Sequence, residues 1–215
     1  MGLTKEMLDR AWAERHGIAL QQRFAEGRVA VCGLGGLGSH IAMVLARAGV
    51  GRLHLIDDDR VELSNLHRQH YEIAQIGQYK TDATADLLHR IAPFCEVKTD
   101  CVHVTPENLV SLLSEDTIIC EAFDKAESKA MLVDGVLTKM PEKYVVAASG
   151  MAGLGDAQRI RTRCVTPHFW LCGDEASGIE TEGSLFATGA MLCAAHQAHA
   201  VLRILAGEIK NRKEN

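Results

Sequence analysis

The stretch Arg28-Val-Ala-Val-Cys-Gly-Leu-Gly-Gly-Leu-Gly-Ser-His40 constrains this chain more than any other. Val29 to Cys32 is a short apolar run of the kind that forms a buried strand, and it feeds directly into glycines and then a helical pattern from Ser39 to about Ala48. Gly33, Gly35 and Gly38 occupy the three glycine positions of G-x-G-x-x-G. The first allows a tight turn, the second lets the backbone approach a phosphate, and the third permits close helix–strand packing. The helix that follows offers free N–H groups and a positive dipole end to an anion. A second apolar run, Arg52 to Ile56, ends in Asp57-Asp58-Asp59. Asp57 stands 24 residues after Gly33 and 19 after Gly38, where an acidic side chain can hold ribose hydroxyls. The pattern predicts a nucleotide site and leaves the nucleotide open.

The remaining chain extends that unit. Residues 4–15 and Ile18 to Glu26 read as helices of an N-terminal segment, 1–27, with Thr4 as a cap and Met7, Leu8, Ala11 and Trp12 sharing an apolar side. Residues 28–207 then read as one α/β nucleotide-binding unit. A helix is predicted from Lys80 to Ile91, a strand from Glu96 to Val104, and a helix from Pro106 to Leu113. A strand from Thr117 to Phe123, a helix over 126–140 and a buried strand from Tyr144 to Ser149 follow. This alternation predicts a Rossmann-like, mostly parallel sheet with helices on both faces and ligands beyond the carboxyl ends of the strands. Asp57 and Asp124 both fall at such ends. Gln158 to Val165 reads as an outer strand, and Thr166 to Gly183 as a long loop. A final helix spans Ser184 to Leu205, before a charged tail, Lys210 to Asn215, expected to fray.

Bulk properties narrow the class. With 215 residues and a net charge of −5, the chain has the size of one domain and no overall electrostatic support for nucleic acid. Seven scattered cysteines without C-x-x-C spacing fit reduced thiols rather than a disulfide framework. The first ten residues lack an apolar signal core, and the apolar stretch from Ser184 carries His196, Gln197, His199 and Arg203, which argues against a membrane span. The expected location is the cytoplasm.

Between the glycine turn and Asp124 lie two further signals, Ser64-Asn-Leu-His-Arg-Gln69 and Gly77-Gln-Tyr-Lys80. Taken in order with Gly33–Gly38, Asp57 and Asp124, they resemble the ThiF/MoeB family of ubiquitin-activating-like adenylating enzymes, and most closely its short members that act on sulfur carriers. The resemblance covers Gln21 to Leu205. It implies ATP-dependent adenylylation of the C-terminal glycine of a ubiquitin-fold, ThiS-like carrier protein ending in Gly-Gly, in thiamine or related sulfur-transfer biosynthesis. It also implies a homodimer. Asp57 would lie on the ribose; Asn65, Arg68 and Lys80 on the phosphates; and Asp124 on Mg²⁺. Gly33, Gly35, Gly36, Gly38, Asp59 and Gln69 would complete the nucleotide contacts. Some members receive an arginine from the partner subunit, for which Arg15 is the candidate.

The chemistry agrees with that set. Joining a carboxylate to the α-phosphate of ATP gathers negative charge, so cations and N–H donors must already be in place. Arg68 offers a planar fork, Lys80 a point charge, and Asn65 an amide. Asp124 suits Mg²⁺, which takes one or two carboxylates together with phosphate oxygens. The attacking carboxylate is ionised at neutral pH and needs no general base. One family feature departs. The two zinc-binding C-x-x-C pairs of many relatives are missing, and Cys164, His168, Cys172 and His196 are a poor substitute because Pro167 interrupts any helix that would align them. Cys172, in the expected loop, is the candidate for a sulfur-transfer cysteine. Two other readings stand beside adenylylation. An NAD-dependent oxidoreductase leaves Asn65, Arg68, Lys80 and Asp124 without a role, and a non-catalytic binding subunit would bind ATP without turning it over.

Overall fold

The computed structural model describes residues 2–208; the predicted frayed tail from Lys210 lies outside the described residues. In chain order the helices and strands are α1 (Lys5–His16), α2 (Ile18–Ala25), β1 (Arg28–Cys32), α3 (Gly38–Arg47), β2 (Arg52–Ile56), α4 (Lys80–Ile91), β3 (Glu96–Asp100) and α5 (Leu109–Leu112). Then come β4 (Ile118–Glu121), α6 (Ala126–Lys139), β5 (Tyr144–Ala148), β6 (Arg161–Thr166), β7 (Phe169–Gly173), α7 (Ile179–Glu182) and α8 (Ala187–Leu205). No described helix is long and apolar enough to cross a membrane.

The strands form one seven-stranded sheet in the order β3-β2-β1-β4-β5-β7-β6. Every neighbouring pair is parallel except β6–β7, an antiparallel hairpin. Strands buried on both faces read as continuous apolar runs, and their residues alternate between two cores. Val29, Val31, Leu53 and Leu55 pack with Ile41, Leu45, Leu88, Ala194 and Val201 of α3, α4 and α8. Ala30, Cys32, Ile56 and Ile119 pack with Leu109, Leu132 and Val136 of α5 and α6. The expected doubly covered parallel sheet is therefore the observed one.

Three expectations need correction. Phe169–Gly173 is strand β7, inserted between β5 and β6, rather than part of a long loop. Trp170 and Cys172 are buried there, so the segment has a core side that its sequence pattern does not announce. The predicted helix from Pro106 is reduced to the single turn α5, because Asn108 turns back to accept from Thr105 N and donate to His103 O. Strand β3 stops at Asp100 instead of Val104. Helix α1 has its Thr4 cap, accepting from Met7 N, but no residue of α1 is fully buried. Trp12 rests against Gly49 in the turn between α3 and β2, which puts α1 at the amino end of the sheet.

Candidate nucleotide site

From β1 the chain winds outward to β2 and β3, and from β4 it winds the other way, so the β1–β4 boundary is the switch point of the sheet. Ligands of such sheets bind in the crevice outside the carboxyl ends at that boundary. The glycine turn follows β1 there, and Asp124 follows β4.

The glycines divide by role. A Cβ on Gly38 would lie 1.8 Å from the Gly33 carbonyl oxygen, and one on Gly33, whose φ is 92°, would lie 2.7 Å from that of Ala122. Both positions exclude any side chain. Gly35 and Gly36 are roomier: the nearest groups to a Cβ there are the Gln69 amide nitrogen at 3.8 Å, and Ala190 at 3.6 Å with the Arg68 stem at 3.7 Å. These two leave bare backbone between the turn and the arginine.

Asp57 is almost fully buried at the end of β2. Its carboxylate accepts from Leu34 N at 2.6 Å and from Asp59 N at 2.8 Å, which ties the glycine turn to the acidic run. Burial raises its pKa, against the pull of Lys80 and those N–H groups. Two of the carboxylate's four lone-pair directions remain for a ribose hydroxyl. Asp59 is exposed, and Lys80, the first residue of α4, buries its side chain to place Nζ 2.6 Å from the Asp59 carboxylate.

Residues 60–79 make an excursion closed at its base. Arg60 bridges to Tyr79, lays its guanidinium 3.7 Å from that ring's centroid and donates to Gly77 O. Within it, Asn65 accepts from Glu62 N, and half-buried Arg68 donates to Ser64 O at 3.3 Å. Gln69 is buried, and among the described residues its Oε1 has no hydrogen-bond partner. An orphaned acceptor beside bare glycine backbone fits a site built to receive a polar ligand.

Three residues that sequence reasoning passed over hold the excursion against the turn. Tyr71 donates to Leu34 O at 2.7 Å and lies 3.2 Å from Thr84 Oγ1; Ser39 Oγ accepts from His70 N; His40 Nε2 meets the Arg68 carbonyl at 3.1 Å. Burial pushes the Tyr71 hydroxyl well up and the His40 imidazole down, so both are neutral hydrogen-bonding groups. Their only sequence signal is adjacency to the motifs.

Asp124 is exposed one residue beyond Phe123, whose ring lies 3.1 Å from the Cβ position of Gly33. The carboxylates of Asp57, Asp58 and Asp59 lie within 4.8 Å of one another. The hard oxygen donors at this end therefore suit Mg²⁺ in type.

Not every candidate comes to the crevice. Cys172 lies in β7, buried, with its thiol raised to about 11 by burial, rather than in a loop over the site. The other side chains weighed for zinc point to separate partners: Cys164 to Thr166 O, His168 to Lys143 O, and His196 to Thr162 Oγ1. Arg15 is exposed in the last turn of α1, at the amino end of the sheet, away from the crevice of its own chain.

Comparison with known proteins agrees with this geometry. A protein-family model, described as the ThiF family, matches residues 8–215. The adenylyltransferase and sulfurtransferase UBA4 of Eremothecium gossypii is 33% identical over 143 residues, 66% of this chain and 32% of that protein. MOCS3 of Culex quinquefasciatus, of the same description, is 37% identical over 128 residues, 58% of this chain and 29% of that one. The matched stretch thus spans about a third of these relatives. Among solved structures, E. coli tRNA N6-threonylcarbamoyladenosine dehydratase, TcdA, in complex with ATP superposes with a TM-score of 0.84 at 22% identity, covering 97% of this chain and 98% of that one. E. coli MccB with AMPCPP and MccA gives 0.71 at 18%, covering 95% and 63%. With the glycine turn, the Ser-Asn-Leu-x-Arg-Gln element and Lys80 converging at one crevice, the chain belongs to the ThiF family.

Proposed function

We propose that this chain is an ATP-dependent adenylyltransferase whose substrate is the C-terminal glycine carboxylate of a ubiquitin-fold sulfur carrier protein. The observation that carries the reading is the convergence of bare glycine backbone, Arg68 and buried Lys80 on the switch-point crevice, beside acids at the ends of β2 and β4. The substrate carboxylate attacks the α-phosphorus of ATP, a C–O–P linkage forms, and the bond to the β-phosphate breaks with release of pyrophosphate. Gly35, Gly36, Asn65 and Gln69 supply donors to the phosphates, while Arg68 and Lys80 balance the charge that gathers there. Asp57 and Asp59 serve the ribose side. Asp124 would hold Mg²⁺, which when bound would neutralise charge on the phosphates. The adenylylated carrier would enter thiamine or related sulfur-transfer biosynthesis. A homodimer would let Arg15 of one copy approach the site of another.

The carrier's tail is expected to thread under the segment 154–183, which includes the β6–β7 hairpin. Carrier-dependent ATP–pyrophosphate exchange tests the reading. Exchange with an intact Gly-Gly tail that disappears when the final glycine is removed supports it. A second reading, activation of a carboxylate borne by tRNA, draws on the full-length superposition with TcdA; the net charge of −5 weighs against it. Exchange driven by tRNA and not by any carrier would establish that alternative.

A further inference from the structure

Beside the crevice lies a buried ion pair that none of the steps above uses. The β4–β5 ladder runs only as far as Cys120 and Val146. Beyond that point side chains rather than backbone hold the strands together. Glu121, fully buried, accepts from Lys129 Nζ at 3.0 and 3.1 Å through its two carboxylate oxygens. The first oxygen also accepts from Phe123 N at 2.8 Å and the second from Ala148 N at 3.4 Å. Lys129, on α6, donates in addition to Ala148 O at 3.3 Å. From α8, Gln197 sends its amide nitrogen to Glu121 O at 2.9 Å and Val146 O at 3.0 Å.

A buried pair of this kind seldom stabilises a fold more than apolar packing would, because both charges lose their hydration. Its geometry has a different consequence. Glu121 fixes the amide of Phe123, the Phe123 ring lies against Gly33, and Asp124 is the next residue. The backbone bond from Ala122 N to Cys32 O, 2.9 Å, holds the end of β4 on β1, and the Glu121 carboxylate fixes the turn from there to Asp124.

We infer that the Glu121–Lys129 pair, braced by Gln197, positions Asp124 for the divalent cation that accompanies ATP. The inference rests on the adenylylation reading only in taking ATP as the nucleotide. Glu121 and Lys129 are positioning residues; neither touches the reacting atoms.

The test is calorimetric titration of ATP into the folded protein across a series of Mg²⁺ concentrations, for wild type, E121Q, E121D, K129M, K129R and the E121Q/K129M double variant, with D124N as reference. Expected is a rise of about tenfold in the Mg²⁺ midpoint for E121Q and K129M, as for other residues that orient a metal ligand, with the double variant no worse than either single one. K129R should recover most of the loss, and ATP affinity without cation should stay within about twofold of wild type. Wild-type midpoints in the variants would overturn the inference. So would an equal loss of ATP affinity with and without Mg²⁺, or a D124N midpoint like that of wild type. If E121Q does not fold, E121D, which keeps the charge and shortens the reach, decides by the same midpoint. Wild-type protein that binds Mg²⁺-dependent ATP but shows no pyrophosphate exchange would overturn the adenylylation instead and leave the positioning role standing.

Discussion

Two lysines in this protein are buried to nearly the same degree, Lys80 at 6% and Lys143 at 8% exposure, at opposite ends of one sheet. Lys143, at the amino ends of β4 and β5, donates to the carbonyls of Leu113, Ser114 and Asp116. An ammonium has three protons to give, and all three are taken. Lys80, in the crevice, has one side-chain hydrogen-bond partner among the described residues, Asp59. Burial alone therefore does not separate a structural cation from one available to a ligand; the count of donors left over does. The aspartates after β7 and β4 repeat the contrast. Asp174 accepts from Ala176 N, Ser177 N and Ser177 Oγ and faces Arg159 at 3.6 Å, whereas among the described residues no side chain or backbone N–H hydrogen-bonds to the carboxylate of Asp124.

Substitutions can break or sharpen that contrast. Lys80→Met is expected to cut carrier-dependent exchange by about 10²- to 10³-fold, the loss typical of one charge-stabilising donor, with little change in thermal melting. Lys143→Met should do the reverse. It leaves three carbonyls short of a donor and should cost about 3 kcal/mol of folding free energy in urea titrations, with exchange per folded molecule unchanged. Equal effects of the two on exchange would end the distinction.

For the aspartates the readout is acid. Burial alone would raise the Asp174 carboxyl, but the Ser177 and Ala176 N–H groups, the Ser177 hydroxyl and Arg159 outweigh it and hold it below its ordinary 3.8. A lowered folded pKa gives stability that is present above the unfolded value and is lost as pH falls through the folded one. The gap in stability between wild type and Asp174→Asn should therefore be full at pH 7 and shrink as pH drops below about 4. A constant gap across that range would show that these contacts do not favour the charged form. The smallest effect is expected at Cys172. Its buried thiol should react with alkylating agents far more slowly than exposed Cys101 or Cys164 in the native protein, and Cys172→Ser should leave exchange within about threefold of wild type. Fast modification of Cys172 would restore the sulfur-transfer role that its sequence surroundings suggest.

Local patterns carried much of this fold. The unit from β1 through α4 was legible because the glycine spacing, a 3.6-residue periodicity and turn residues all agree over 28–91, and Lys80 to Ile91 is the helix the sequence predicts. Strand β7 was not, because five residues between Pro167 and a glycine-rich segment have too little pattern to distinguish a central strand from a loop. Only the sheet, by placing Trp170 and Cys172 between β5 and β6, makes that stretch a strand. In the site, Arg68, Lys80 and Asp124 stood out as charges within motifs. Tyr71, His40 and the Glu121–Lys129 pair did not, since their roles arise from contacts between elements far apart in the chain.

The double hold on Leu34, its N–H on Asp57 and its carbonyl on Tyr71, bears on the thermodynamics of ligand entry. A phosphate-binding turn that stayed loose until ATP arrived would charge its lost backbone entropy, on the order of 1–2 kcal/mol per residue, against affinity. Here the turn is ordered by folding, so that entropy is absent from the binding equilibrium. Nucleotide affinity then carries no entropic cost for ordering the cradle.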